Sequence, residues 1–229
     1  MLILEDLRVE LGDFALAADL RIKAGRKVAV LGPSGAGKST LLAAIAGYLP
    51  ASGRVVWDKD DLTGKPPAAR PITTIFQDNN LFPHLTAAQN VGLGLRPDLR
   101  LSKPQWAQVD EALDRVGLQG LGGRKPAALS GGQAARVALA RALLRHKPLI
   151  LLDEPFGALG PALRDEMLEL VAALATETGA TLMMVSHEPD DAHRIADEVI
   201  LVADGRAHAP VATDEIFANP PEALRDYLG

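Results

Sequence analysis

KVAVLGPSGAGKSTLLAAIAG, residues 27 to 47, decides the fold. The apolar run KVAVL reads as a short buried strand, and LLAAIAG reads as a helix that stops at Gly47. Between them, Gly32, Gly37, Lys38 and Ser39 satisfy G-x-x-x-x-G-K-[ST]. Strand, glycine loop and helix are thus in the order a phosphate site requires: backbone N–H groups and the positive helix end face an anion, the lysine neutralises it, and the serine hydroxyl reaches Mg²⁺. The candidate phosphate loop is Gly32, Pro33, Ser34, Gly35, Ala36, Gly37, Lys38, Ser39 and Thr40.

Working outward, TTIF (73–76), LILLD (149–153), TLMMVS (181–186) and EVILVA (198–203) read as further buried strands. Leu163, Met167, Leu170, Val171 and Leu174 are spaced for one face of a helix, so strands and helices alternate as in a parallel α/β sheet. Upstream, Phe14, Leu16, Ala18, Leu20 and Ile22 alternate as in a strand with one buried face. Residues 78 to about 145 interrupt this rhythm with two helical patterns, about 102–116 and 131–145, and no convincing strand. They read as a helical insertion. The tail TDEIFANPPEALRDYLG promises one or two short helices.

Composition narrows the function. A chain of 229 residues fits one domain carrying an insertion. A net charge of -5 argues against a general nucleic-acid binder, so no nucleic-acid partner is expected. The absence of cysteine excludes disulfides and thiolate metal sites and is in keeping with a reducing compartment. MLILEDLRVE carries acids where a signal peptide needs a basic segment, so export is not expected. No run approaches the roughly 18 apolar residues of a membrane span, so any membrane role goes through a partner.

Asp153 and Glu154 close the run LILLD, which places their carboxylates at the sheet edge where α/β ligands bind. The aspartate suits Mg²⁺, and the glutamate suits a base for attacking water. His187 follows TLMMVS on the same edge, where an imidazole can hold a γ-phosphate. Gln77, closing TTIF, is a candidate contact to Mg²⁺ and the attacking water. His84, His146, His193 and His208 have no such placement. A second glycine-rich helix start, Ser130, Gly131, Gly132 and Gln133, lacks a lysine yet presents N–H groups and a positive helix end to an anion.

Together these residues resemble the ATP-binding subunits of ABC transporters over nearly the whole chain. GPSGAGKST (32–40) resembles Walker A, Gln77 the Q-loop, LSGGQ (129–133) the family signature, LILLDEP (149–155) Walker B, and His187 the switch histidine. The resemblance implies an α/β P-loop NTPase (RecA-like) domain, with a mainly parallel sheet core, an antiparallel β region and a helical insertion subdomain. It implies one ABC ATPase domain over 1–229, divided into a nucleotide-binding core (1–77 and 146–229) and a helical signature subdomain (78–145). ATP and Mg²⁺ are the implied cofactors. Glu154, His187 and Gln77 are the implied catalytic residues, with Ser39, Gln77 and Asp153 at the metal.

Family membership implies that the signature binds the γ-phosphate held by the Walker A of another subunit, so a homodimer forms on ATP binding. Integral-membrane permease subunits and a solute-binding protein are the other implied partners, and the cytoplasmic face of the inner membrane the implied location, with peripheral attachment. A permease helix is expected at Leu81, Phe82 and Leu85. The stretch 76–102, with LF-HLT-AQN and GLGL, is similar to the thiamine-importer branch; iron, molybdate or polyamine are the alternative solutes.

The sequence departs from the family at four points. Gly160 replaces the aspartate that ends the loop after Walker B, Ala134 and Ala135 replace polar residues of the signature helix, and Leu11 falls where an aromatic stacks on adenine. Phe14 is the nearest substitute for the stacking ring. Base stacking on such a ring is worth about 1 to 3 kcal/mol. These departures keep a second class of function in view: a weakly hydrolysing, ATP-dependent switch or scaffold subunit. An ABC ATPase of DNA repair or translation would need long coiled-coil insertions or tandem cassettes, and a P-loop kinase leaves LSGGQ unexplained.

Overall fold

The computed structural model describes residues 1–76 and 78–228. Its elements in chain order are β1 (Leu2–Leu11), β2 (Phe14–Ile22), β3 (Lys27–Leu31), α1 (Lys38–Ala46), β4 (Ser52–Trp57), β5 (Asp60–Asp61), β6 (Ile72–Ile75), α2 (Ala87–Gly92), α3 (Lys103–Arg115) and α4 (Gly131–Leu144). There follow β7 (Leu149–Asp153), α5 (Pro161–Thr178), β8 (Thr181–Val185), α6 (Pro189–Ile195), β9 (Glu198–Ala203), β10 (Arg206–Ala207), β11 (Val211–Ala212), α7 (Thr213–Ala218) and α8 (Glu222–Leu228).

The strands join in the order β5-β4-β1-β2-β10-β9-β3-β8-β7-β6, with β11 paired to β9. From β9 to β6 every pairing is parallel. β1, β2, β4 and β5 pair antiparallel, and β10 links the two regions, parallel to β2 and antiparallel to β9. This is the mainly parallel P-loop core with an antiparallel β region.

The parallel strands are covered on both faces, which is why they are continuous apolar runs in the sequence. In β7, Leu149 and Leu151 face one core while Ile150 and Leu152 face another. β8 divides likewise: Met183 and Val185 join the first core, Leu182 and Met184 the second. Helix α1 lies in the first core with the side chains of β1 and β2, and its Leu41, Leu42 and Ile45 are at most 1% exposed. Full burial of each such side chain is worth about 1.5–3 kcal/mol, so the phosphate loop is held by a helix sealed into the core. The second core joins α2, α3, α4 and α5 to the sheet, and a third gathers α6, α7 and α8 over Ala29, Leu31, Val199 and Leu201.

The insertion between β6 and β7 differs from expectation by one element. Helix α2 is short, only 6 residues, and is closed at its start by a capping box in which Thr86 Oγ1 accepts from Gln89 N while Gln89 Oε1 accepts from Thr86 N. Fully buried Asn90 fixes the loop before it, accepting from Phe82 N at 2.8 Å and donating to the carbonyls of Phe82, Leu85 and Thr86. That loop leaves Phe82 48% exposed, whereas Leu81 packs against the helical core. Among the described residues no helix is long and apolar enough to cross a membrane.

Candidate nucleotide site

The loop from β3 to α1 is shaped by two glycines that admit no side chain. Gly32 sits at φ +145°, where a Cβ would lie 2.0 Å from Val202 O of β9. Gly37 sits at φ +106°, where a Cβ would meet the Phe14 ring at 2.6 Å. Such backbone is accessible to glycine and strained for other residues. Lys38 opens α1 and is 5% exposed; its Nζ donates to Gly32 O at 2.7 Å and to Pro33 O at 2.9 Å. Burial pulls its pKa below the ordinary lysine value, while Glu154 and Asp153 pull the other way. Ala36 packs beside Phe14 against the first core.

β8 lies between β3 and β7 in one parallel register, with Asp153 opposite Val185. The ends of these strands are therefore neighbours. Ser39 Oγ donates to Asp153 Oδ1 at 2.8 Å. Burial pushes the Asp153 carboxyl above the usual carboxylate range and Glu154 adds to the shift, while the Ser39 hydrogen bond, Lys38 and His187 oppose it. Glu154 holds a left-handed backbone at φ +49°, and its N donates to Val185 O at 3.3 Å. That conformation costs an ordinary residue about 1–2 kcal/mol. Its Oε1 lies 2.6 Å from His187 Nε2 on the loop after β8.

A cavity of about 400 Å³ collects the phosphate loop, Glu154 and His187, with Asp153 behind Ser39. Ser34, Gly35, Gly37, Lys38, Ser39 and Thr40 line it, with Glu154 and His187, and with Leu11 and Phe14 from the two strands of the first hairpin. Such a volume lies in the usual range for a ligand pocket. Pro33 and Ala36 line a separate opening beside it. The oxygen donors Ser39 and Asp153, one hydroxyl and one carboxylate, are the hard ligands Mg²⁺ takes when phosphates supply the rest, so these residues fit that ion. Gln77 lies outside the described residues.

The signature residues stand apart. Ser130 caps α4, accepting from Gln133 N at 3.3 Å, and Gln133 Oε1 accepts from Ser130 N at 3.0 Å. Ser130 and Gly131 are exposed, and none of Ser130, Gly131, Gly132 and Gln133 lines the cavity around Lys38. Instead Gly131 faces the segment that leads into α5 and Gly132 faces its first turn. A Cβ on Gly132 would lie 2.4 Å from Leu163, and one on Gly131 3.7 Å from Leu159. Gly160, between those leucines, has φ −66° and ψ 157°, with open space where a Cβ would stand, and it begins α5 with no side-chain cap.

Sequence reading missed the groups that hold the His187 loop. Ser186 Oγ donates to Asp191 Oδ2 at 2.5 Å, and Arg164 Nη2 of α5 donates to the same oxygen at 2.6 Å. Tyr227 OH of α8 donates to His187 O at 2.5 Å. Arg164 and Tyr227 stand 27 and 40 residues from their partners Asp191 and His187, so no local spacing announces either contact.

The loop, the paired carboxylates and the separate capped signature on a two-region sheet define a class. The ABC transporter family model matches residues 17–157, more than half of the chain, and the chain belongs to that family. Among relatives, it is 59% identical to the thiamine import ATP-binding protein ThiQ of Cereibacter sphaeroides and 56% identical to ThiQ of a Ruegeria species, in both cases over 100% of each chain. ThiQ of a Jannaschia species is 51% identical, again over 100% of each. Among solved structures, the ATP-binding cassette MJ0796, a dimer in a post-hydrolysis state bound to ADP and Pi, superposes with a TM-score of 0.80 at 31% identity, covering 93% of this chain and 99% of that one.

Proposed function

We propose that the chain is an ATPase that hydrolyses MgATP in a head-to-tail pair of copies and so drives a thiamine importer. One observation carries the mechanism: Lys38, Ser39, Glu154 and His187 share one cavity, while the second anion-binding helix start, with Ser130 and Gly131 exposed, lies outside it. A site divided in this way is completed by a second copy. The dimeric form of the 31%-identical cassette supports the arrangement.

Each residue has a part that follows from its place. Lys38 brings a partly desolvated charge against the phosphates, which is worth more there than in water. Ser39 and Asp153 would hold Mg²⁺, which when bound neutralises charge on the β- and γ-phosphate oxygens. Glu154 takes the proton from the water that attacks the γ-phosphorus, and ADP leaves. Because His187 occupies one of its carboxylate oxygens, the other stays available for that proton. Gln77 is assigned to the water and Mg²⁺ through the family pattern, Phe14 to the adenine, and Ser130, Gly131, Gly132 and Gln133 to the partner's nucleotide.

The core segments 1–77 and 146–229 bind nucleotide and 78–145 forms the signature subdomain. The permease helix docks at exposed Phe82, with Leu85 and the flank of Leu81, on a loop that Asn90 makes rigid. The protein thereby sits peripherally on the cytoplasmic face of the inner membrane, while a solute-binding protein supplies thiamine to the permease. Thiamine as the solute is supported by near full-length identity to the ThiQ proteins.

The test is Glu154→Gln, which leaves both phosphate-binding parts intact and removes the base. Size exclusion with MgATP is expected to show a stable dimer with hydrolysis almost gone. A variant that stays monomeric at saturating ATP, or turns over like the parent, refutes the divided site. Uptake of labelled thiamine by vesicles carrying the assembled transporter tests the solute; ATP-dependent uptake of a different solute instead replaces it.

A further inference from the structure

Helix α8 ends the described chain, far in sequence from the phosphate loop, yet it reaches the catalytic edge. Leu224 is fully buried in the third core. Tyr227 follows three residues later on the same helix face, partly buried against that core. Its hydroxyl donates to the carbonyl oxygen of His187, the residue whose imidazole meets Glu154 at 2.6 Å. The side chain of His187 is 44% exposed, so burial does little to fix it. Next to it in the chain, the loop is held through Ser186, which bonds both Glu188 N and the buried Asp191 carboxylate.

We propose that Tyr227 is a positioning residue for His187: by holding the His187 carbonyl while Asp191 and Glu188 N hold the neighbouring Ser186, it sets the direction in which the imidazole meets Glu154. Helix α8 is then a strap across the catalytic edge. Burial and the surrounding acids push the Tyr227 hydroxyl to a higher pKa, so the phenol remains a donor through the neutral range. The inference rests on the reading of His187 as part of the catalytic machinery.

Tyr227→Phe keeps the ring and deletes only the donor. In the nucleotide-free full chain, the His187 imidazole nitrogen resonances, assigned with His187→Gln, are expected to move in Tyr227→Phe while those of His84 stay in place. At saturating MgATP, kcat is expected to fall about 3- to 10-fold, the size of one lost hydrogen bond, with KM for ATP unchanged within twofold. In a His187→Ala background the same substitution is expected to cost nothing further. Unmoved imidazole resonances overturn the proposal. So does an equal loss of kcat in the His187→Ala background, because a packing defect would act with or without the imidazole. If His187→Ala by itself keeps full turnover, the reading of His187 fails and the strap fails with it. If His187→Ala inactivates and Tyr227→Phe is silent, only the strap fails.

Discussion

Gly160 offers a single-residue test of what limits closure. It begins α5 at φ −66° and ψ 157°, a conformation open to any residue, and a Cβ there meets nothing within 4 Å. The helix start carries no acid in its first turn and no side-chain cap. Gly160→Asp therefore introduces a carboxylate that accepts from the free N–H groups of that turn. Aspartate is better than glycine at this position by a few tenths of a kcal/mol, and a negative charge at the helix start adds about 0.3–1 kcal/mol. The sum, about 0.5–1.5 kcal/mol, corresponds to a rise in Tm of roughly 1–6 °C for a chain of this size. Gly160→Asn, which caps without charge, is expected to gain only the first part. The same carboxylate is the one that, in the family pattern, bridges the two subunits. Closing the dimer must trade part of the cap for that bridge, so the ATPase rate of the free protein is expected to rise about two- to fivefold, equivalent to roughly 0.5–1 kcal/mol. In the proposed transporter the gain is expected to be smaller, since a permease that binds two copies would hold them at high effective concentration. Calorimetry and steady-state hydrolysis on both forms decide it. A Tm that falls refutes the account of an open helix start; a Tm that rises with an unchanged free-protein rate shows that the missing carboxylate is not what limits closure.

Lys38→Ala is expected to weaken ATP binding about 10- to 100-fold in equilibrium titration, the scale of a lost charged hydrogen bond, and unaltered affinity would remove the lysine from the phosphates. Asp153 gives a pH test. Its folded pKa lies above the ordinary 3.8, so the stability tied to its protonated form is full below that value and is lost as pH rises through the folded pKa. Asp153→Asn removes this loss: without nucleotide the variant is expected to outlast the parent in denaturant at pH 7, and the difference to shrink as pH falls below about 4. A variant less stable at pH 7 refutes this. Phe82→Asp should leave the Tm of the free chain nearly unchanged, because the ring is half exposed, yet abolish uptake by the assembled transporter; full uptake places the docking site elsewhere.

What the sequence disclosed depended on whether burial followed a simple period. β3, β7, β8 and β9 are covered on both faces and stand out as apolar runs. β1 buries one face only and escaped notice. Leu2 and Leu4 point inward, then Asp6 takes a positive φ and the register shifts, so Leu7 and Val9 continue the buried face out of step. β4 meets the same irregularity from its side: Gly53 has φ +80°, and a Cβ there would lie 2.2 Å from Asp6 O. Glycine in a strand reads locally as a break. α2 is too short for helical periodicity, although T-x-x-Q at Thr86 and Gln89 is a capping-box signal that would have found it. For the site, motif spacing brought Lys38, Ser39, Asp153, Glu154 and His187 into view because each stands at a strand end or at the helix start that follows one. Tyr227 had no such marker, since its contact with His187 depends on how α8 lies over the third core.

The strand order also bears on when the protein becomes competent during synthesis. β8 is inserted between β3 and β7, both of which leave the ribosome before it. The phosphate loop, moreover, takes its shape against Val202 of β9, which emerges later still. A nascent chain carrying every residue of the glycine loop, the signature and both Walker carboxylates thus has no finished place for a nucleotide. ATP cannot serve as an early folding ligand for this protein; it can only select chains in which the last parallel strands have already found their places.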